Sequence, residues 1–186
     1  MAEMTEKAEK VEKTEKTEMT EMAERPTFRI NNRVYLSAGV LFYTIDENDT
    51  IHFMLQKVKG HTWLYEDFGG KSHLGDLSIK DVAFRECSEE LNHAGGITKE
   101  YLETCKYIEY LVPSNKYVSY IIHIPFINAD IFGNYEITCN VERTIVWLSY
   151  AELWNLHPSL IHPRLQPDFK NWLPLLITES EDLIDQ

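Results

Sequence analysis

Three glutamates of one short segment, Glu86, Glu89 and Glu90, have the spacing of neighbours on a helix surface. At about 100° per residue, Glu86 and Glu90 fall on one stripe of the helix and Glu89 lies at its edge. The same stripe begins with three apolar residues, Ile79, Val82 and Ala83. Carboxylates gathered at the edge of an apolar core repel one another and lose hydration, so they stay ionised only when cations join them.

Two kinds of cation could stabilise these carboxylates. Arg85 can pair with Glu89 at the i,i+4 spacing and neutralise one charge. The remaining charge calls for a divalent metal ion, and a set of oxygen ligands favours Mg²⁺ or Mn²⁺ over zinc. The alternative is that the segment is an ordinary solvated acidic patch on a surface helix.

The residues before and within this helix resemble the signature of the Nudix hydrolases, Gly-x5-Glu-x7-Arg-Glu-U-x-Glu-Glu-x-Gly-U, in which U is aliphatic. The matching segment starts at Gly70, passes through Asp76 and contains the Arg-Glu-x-x-Glu-Glu group at 85–90. Gly69 and Lys71 complete a Gly-Gly-Lys entry that is also similar to the family. The amino-acid sequence of this segment further resembles Nudix proteins encoded by large DNA viruses.

The segment departs from the signature at four places. Asp76 replaces a glutamate, and eight residues (77–84) rather than seven separate it from the arginine. Cys87 takes an aliphatic position, and Asn92 and His93 replace the closing glycine and aliphatic residue. The extra residue falls in the loop before the helix, where insertion costs little. Asn is a common substitute for Gly at a left-handed helix end.

A capping signal predicts where this helix begins. Ser78, with Asp81 three residues later, is similar to a capping box and predicts that the helix starts at Ile79. Other patterns predict strands at 33–45, 51–59, 61–68, 105–113, 117–126 and 143–149, and helices at 150–154 and 168–179. The segment 157–167, with its repeated His-Pro pairs, reads as a loop.

The resemblance implies a fold of the α/β (α+β) class, a Nudix-type α/β/α sandwich with a mixed β-sheet. It also implies Mg²⁺-dependent (or Mn²⁺-dependent) hydrolysis of a nucleoside diphosphate linked to another group, the reaction of an acid anhydride hydrolase. The implied metal ligands are Glu86, Glu89 and Glu90, together with a backbone carbonyl near Gly69 or Gly70. The implied catalytic residues are Glu89, Glu90 and Arg85, with Arg85 orienting Glu89. Substrate-binding positions are Gly69, Gly70, Lys71 and Lys57.

A catalytic base outside the motif is a further expectation from the family. Asp130, Glu136 and Glu142 lie in or near a loop before the strand at 143–149. No feature of the sequence selects among the three. The substrate also stays open among nucleoside triphosphates, dinucleoside polyphosphates, nucleotide sugars, NAD-like dinucleotides, diphosphoinositol polyphosphates and capped RNA ends.

Composition limits the class of protein. The 186 residues contain 18 Lys and Arg against 30 Asp and Glu, a formal net charge of −12. This balance argues against a protein that coats nucleic acid, which needs a basic face. A small phosphorylated substrate is compatible with it, because a metal ion can reverse the local charge. Three cysteines without a CxxC pair indicate a reducing compartment.

The chain divides into a tail and one domain. Residues 1–26 form a low-complexity Glu/Lys/Thr segment that predicts disorder, and 27–186 suffice for a single core. No apolar segment has signal-peptide or membrane-spanning length, so we expect a cytoplasmic protein without a membrane partner. Two other functions are considered: a catalytically silent Nudix-fold module that binds a nucleotide, and an interaction protein that acts through its N-terminal arm.

Overall fold

The computed structural model describes residues 25–59, 64–112 and 115–165. Ten strands run in chain order: β1 Phe28–Ile30, β2 Arg33–Tyr35, β3 Ser37–Ile45, β4 Ile51–Val58, β5 Leu64–Glu66, β6 Phe68–Lys71, β7 Lys106–Val112, β8 Asn115–His123, β9 Tyr135–Glu136 and β10 Val141–Ser149. The α-helices are α1 Ile79–Glu90, α2 Lys99–Thr104 and α3 Tyr150–Asn155. Short 3-10 turns lie at Ala129–Phe132, Pro158–Leu160 and Pro163–Leu165.

One mixed eight-stranded sheet organises the described chain. Its strand order is β7-β8-β3-β4-β10-β9, with β5 paired to β4 and β6 paired to β3. Strands β3 and β8 run parallel, whereas the other pairs in this sheet are antiparallel. Strands β1 and β2 form a separate antiparallel ribbon. The strands predicted at 33–45 and 51–59 form the hairpin β3–β4, with Ile45 opposite Ile51.

Helices cover both faces of the sheet. Successive side chains of a strand point to opposite faces, so each central strand contributes to two cores. On one face Val40, Phe42 and Met54 pack with Val82 and Ala83 of α1. The opposite face is covered by a second cluster, which includes Leu41, Phe53, Leu55, Leu153 of α3 and Leu165. The predicted three-layer α/β/α sandwich with a mixed sheet is therefore confirmed.

Several predicted boundaries need correction. The strand expected at 33–45 is interrupted at Leu36, so its first part pairs with β1 and only Ser37–Ile45 joins the main sheet. Helix α2 and the 3-10 turn at Ala129–Phe132 have no counterpart among the predicted elements. The expected helix at 168–179 and residues 1–24 of the expected tail lie outside the described residues. Among the helices described, none has both the length and the apolarity to cross a bilayer.

Candidate active site

Helix α1 begins where the capping signal predicts. Ser78 is the N-cap residue, and its side chain accepts a hydrogen bond from the backbone N–H of Asp81 at 3.1 Å. The Asp81 carboxylate in turn accepts from the Leu77 backbone N–H at 3.1 Å. These contacts satisfy donors that the first helical turn leaves free. They fix the start of the helix after a loop that is one residue longer than the motif requires.

The buried side of α1 changes character along its length. Ile79, Val82 and Ala83 lie in the core, as predicted. Cys87 and Leu91 are also fully buried, so α1 is covered over more than its acidic stripe. In the C-terminal half of α1, the carboxylate of Glu86 lies against Gly70 of β6. The helix therefore places this carboxylate between an apolar core and the backbone of β6.

Arg85 is occupied completely by neighbouring acceptors. Its Nε and Nη2 donate to Asp76 at 3.1 and 3.0 Å. Its Nη1 donates to Glu86 at 2.8 Å and to the predicted partner Glu89 at 3.3 Å, while Nη2 also reaches the Lys71 carbonyl at 2.9 Å. A guanidinium has five N–H donors, and five acceptor contacts account for all of them. Arg85 therefore orients carboxylates and has no donor left for a substrate.

The two glycines of β6 allow different close approaches. Gly69 lies opposite Gly39 of β3, and the Tyr117 hydroxyl lies over both, so a Cβ at either position would overlap the phenol oxygen. Gly70 points to the α1 face, where a Cβ would overlap the carboxylate of Glu86. The Gly-Gly pair thus brings β6 against a buried phenol on one face and a glutamate on the other.

Replacing Gly70 by alanine should displace the Glu86 carboxylate and destabilise the protein. The obstacle is the end of a flexible side chain, so the expected cost is that of the displaced Arg85–Glu86 hydrogen bond, about 0.5–1.5 kcal/mol in free energy of unfolding. We expect the cost to shrink in a Glu86→Ala background, where the obstacle is gone. Urea unfolding of the two single variants and the double variant measures this coupling. Equal cost of Gly70→Ala in both backgrounds would contradict the predicted contact.

A buried ion network supports the turn between β5 and β6. The Asp67 carboxylate accepts from Tyr117 at 2.9 Å, from Ser119 at 2.8 Å and from the Nε of Arg164 at 2.8 Å. Arg164 also donates to the Gly69 carbonyl at 2.7 Å and lies 3.2 Å from Glu66. Its guanidinium packs over the Tyr117 ring, 5.2 Å from the centroid. The network fixes the backbone that carries Gly69.

Glu90 is the most poorly compensated carboxylate in this region. Its Oε2 is buried and has no hydrogen-bond partner among the described residues. Burial raises the pKa of Glu90 well above its ordinary value, although Arg164 and Gln56 act in the opposite direction. Burial also raises the pKa of Glu86, with Arg85 opposing it. In both residues the effect of burial exceeds that of the neighbouring guanidinium groups.

The structure separates the three candidates for a catalytic base. Glu136 of β9 is buried beside Arg143 of β10, at 3.5 Å. Burial and, more weakly, the charges of Asp67 and Glu136 raise the pKa of Glu66, whereas Arg164 lowers it. Glu136 lies near the C-terminal end of α1, because Tyr135 and Ile137 on either side of it are hydrogen-bonded to Asn92. Glu142 is exposed and pairs with Lys59 at 2.7 Å, and Asp130 is exposed in a 3-10 turn.

The predicted substrate-binding residues lie in different surroundings. Lys57 pairs in register with Tyr65 and lies over its ring at 5.0 Å, on the face of the sheet opposite α1. Lys71 has an exposed side chain at the end of β6, close in sequence to the site. Gly69 and Gly70 lie at the site through their backbone.

The charges around α1 do not balance. In the described part of the chain, seven carboxylates share three guanidiniums: Glu66, Asp67, Asp76, Glu86, Glu89, Glu90 and Glu136, with Arg85, Arg143 and Arg164. An excess of oxygen donors with an unpartnered Glu90 Oε2 fits a hard divalent cation in charge and donor type. The ligands are not preassembled, since no His, Cys, Asp and Glu side chains of the described residues form a metal-holding group of three. Arg85 instead contacts both Glu86 and Glu89.

Several residues of this cluster of carboxylates and guanidiniums are not predicted from the sequence. Glu66, Asp67, Arg143 and Arg164 join it from strand ends and from the loop at 157–167. One available signal was Arg143, a charged residue on a strand position whose same-face neighbour Ile145 is buried. Arg164 lies inside the segment 157–167, whose repeated His-Pro pairs predict only a loop.

No family model and no curated protein matches this sequence. Among solved structures, the chain is similar to a Nudix hydrolase from M. smegmatis, RenU, at 14% identity and a TM-score of 0.48, covering 83% of this chain and 95% of that one. It is also similar to the Nudix domain of Shewanella oneidensis NrtR complexed with ADP ribose, at 16% identity and a TM-score of 0.48, covering 80% and 88%. A C. elegans Ap4A hydrolase matches at 19% identity and a TM-score of 0.45, covering 81% and 98%. The likeness of this chain to these Nudix proteins is one of fold.

Proposed function

We propose that this protein is a Nudix-type, Mg²⁺-dependent hydrolase of a pyrophosphate linkage in a nucleoside diphosphate joined to another group. The observation that carries the proposal is the excess of carboxylates around α1, where the buried Glu90 Oε2 has no partner among the described residues. Ionised carboxylates in such a place need a cation, and oxygen donors suit Mg²⁺ or Mn²⁺. The resemblance of the segment from Gly70 to Glu90 to the Nudix signature supports the same reading.

Glu86, Glu89 and Glu90 would hold the metal ion, with the Gly69 carbonyl as a further donor. That carbonyl accepts from Arg164, and its second lone pair leaves it able to accept again. When bound, Mg²⁺ supplies charge neutralisation of the pyrophosphate oxygens and acidifies a water molecule. Arg85 holds Glu86 and Glu89 in place, and Asp76 holds Arg85.

Glu136 is the residue we assign as general base. In the reaction a water oxygen forms a bond to phosphorus, and the bond from phosphorus to the bridging oxygen breaks. The leaving phosphate takes the bonding electron pair, and the Glu136 carboxylate receives the proton of the water. Arg143 contacts Glu136 from the neighbouring strand, at 3.5 Å.

A substrate panel tests the proposal. ATP, ADP-ribose, diadenosine tetraphosphate and a capped RNA oligonucleotide are incubated with protein in Mg²⁺ and in EDTA, and products are separated by chromatography. We expect Mg²⁺-dependent cleavage of at least one compound. Nucleotide binding without cleavage of any compound would favour the silent binding module. Activity that vanishes when residues 1–26 are removed would favour a role for the N-terminal arm.

Glu136→Gln should reduce kcat by about 10²–10⁴-fold, the usual contribution of a general base. Glu142→Gln is the matched control, because Glu142 is exposed and lies in the neighbouring strand. We expect the control to keep wild-type turnover. Loss of turnover in Glu142→Gln or Asp130→Asn, with Glu136→Gln unaffected, would assign the base elsewhere.

A further inference from the structure

The C-terminus of α1 ends in a left-handed turn at Asn92, the residue that stands in place of the glycine of the Nudix signature. Asn92 has φ 49° and His93 has φ 61°. The Asn92 N–H donates to the Glu89 carbonyl at 3.0 Å, and the His93 N–H donates to the Ser88 carbonyl at 2.7 Å. This pair of bonds defines a Schellman motif. The backbone at position 92 would accept glycine without strain.

The side chain of Asn92 makes contacts that a glycine could not make. Its Nδ2 donates to the carbonyls of Phe132 and Tyr135 at 3.0 and 2.9 Å. Its Oδ1 accepts from the Ile137 backbone N–H at 3.1 Å. Two of these three bonds go to the residues on either side of Glu136. One side chain at the end of α1 therefore holds the segment that carries the assigned base.

We propose that Asn92 is a positioning residue that fixes Glu136 against the glutamates of α1. The inference rests on the proposed function, since it concerns the same site. It adds a connection specific to this chain between the metal-binding helix and the base. An asparagine in place of the signature's glycine therefore serves the site, because its side chain supplies this connection.

The other contacts that the structure gives this segment tie it to β10 and to the turn between β9 and β10: the Tyr135 hydroxyl donates to Asn140, and the Arg143 N–H donates to the Asn134 carbonyl. Strand β9 has two residues and pairs with β10 through Glu136 and Tyr135. The flanking side chains contribute little packing, because Tyr135 is 45% exposed and Ile137 is 77% exposed. The ion pair of Glu136 with Arg143 is long, at 3.5 Å. The three Asn92 bonds tie this segment to the end of α1, so removing them loosens the position of Glu136 relative to the glutamates of α1.

Asn92→Gly tests the inference because it preserves the left-handed backbone and removes only the side chain. We expect kcat to fall by about 10-fold to 100-fold, the scale of a misplaced catalytic group, while KM changes little. Hydrogen exchange followed by mass spectrometry should show faster exchange of the Ile137 amide. Circular dichroism should show that the variant stays folded.

Asn32→Gly is the matched control, since Asn32 also has a positive φ, 62°, and lies in the turn between β1 and β2. We expect wild-type kcat and unchanged exchange at residue 137. Faster exchange at Ile137 with wild-type kcat in Asn92→Gly would overturn the positioning role while leaving the proposed function intact. A KM increase with unchanged kcat would overturn it as well. Absence of turnover in the wild-type protein would overturn the proposed function, and the role of Asn92 in it, whatever the exchange shows.

Discussion

Glu90→Gln should abolish most metal-dependent turnover and, at the same time, stabilise the metal-free protein. Loss of a group that supplies electrostatic stabilisation costs about 10²–10³-fold in kcat, and loss of the metal ligand proposed at position 90 adds to this. The stabilisation follows from burial. The Oε2 of Glu90 has no partner among the described residues, and Gln56 beside it has an equally unpartnered Oε1. A glutamine at position 90 carries no charge, so its burial costs less free energy than that of an ionised carboxylate.

The difference in stability between Glu90→Gln and wild type should depend on pH in a defined direction. Burial raises the pKa of Glu90, so the folded protein binds this proton more tightly than the unfolded chain does. The contribution of Glu90 to stability is fully present below its ordinary pKa of 4.5 and is lost as pH rises through the raised value. In EDTA, the stability advantage of Glu90→Gln over wild type should therefore grow with increasing pH.

Thermal unfolding with and without Mg²⁺ separates these effects. At neutral pH in EDTA, we expect the variant to be more stable by roughly 1–3 kcal/mol, which is about 2–4 °C in melting temperature for each kcal/mol. Mg²⁺ should raise the melting temperature of wild type and leave Glu90→Gln nearly unchanged. Glu142→Gln, at an exposed position, should behave as wild type. A variant that keeps Mg²⁺-dependent turnover would refute the assignment of Glu90 as a ligand.

The features of the site that the sequence predicts are those formed between residues close together in the chain. Ser78 caps the helix at the predicted residue, and the Arg85–Glu89 pair forms at its predicted i,i+4 spacing. Both depend on residues within one or two helical turns, where backbone geometry sets the distance. Asn92 adopts the left-handed conformation expected of a glycine substitute for the same reason.

The rest of the site depends on contacts between distant segments. Arg164 reaches Asp67 and Gly69 across 97 and 95 residues, and no local period encodes such a meeting. The sequence does not distinguish Glu136 from Glu142 as a candidate base, because the difference between them depends on how β9 pairs with β10. Successive residues of a strand point to opposite faces of the sheet. The register Glu136 opposite Val141 and Tyr135 opposite Glu142 becomes known only once β9 and β10 are paired.

Arg164→Met should be among the most destabilising single substitutions in the described part of the chain. Arg164 is only 8% exposed and neutralises Asp67, which is fully buried, and Glu66. Removing one partner of a buried ion pair leaves an uncompensated charge and costs about 3–5 kcal/mol. Methionine keeps much of the side-chain length and the packing on Tyr117, so the loss reports the charge and the hydrogen bonds.

A double-mutant cycle with Asp67→Asn isolates the ion pair. Asparagine at position 67 can still accept from Tyr117 and Ser119 but carries no charge to be left unpaired. We therefore expect Arg164→Met to cost less in the Asp67→Asn background, with a coupling energy of about 0.5–3 kcal/mol in urea unfolding. Arg33→Met is the control, because Arg33 is exposed and lies 3.7 Å from Glu109. Its effect should stay within about 0.5 kcal/mol.

The Arg164 variant also tests how stability and metal binding are connected. Its Nη1 holds the Gly69 carbonyl, which we propose as a metal donor, so loss of the guanidinium frees the carbonyl while removing a positive charge from the site. The lower positive charge favours a divalent cation electrostatically, whereas a less ordered β5–β6 turn disfavours it. If the order of the turn dominates, Arg164→Met will gain less melting temperature from Mg²⁺ than wild type. We expect this outcome, because a metal site depends on donors held in place by their surroundings. A larger gain than wild type would instead mean that charge dominates and that Arg164 opposes metal binding.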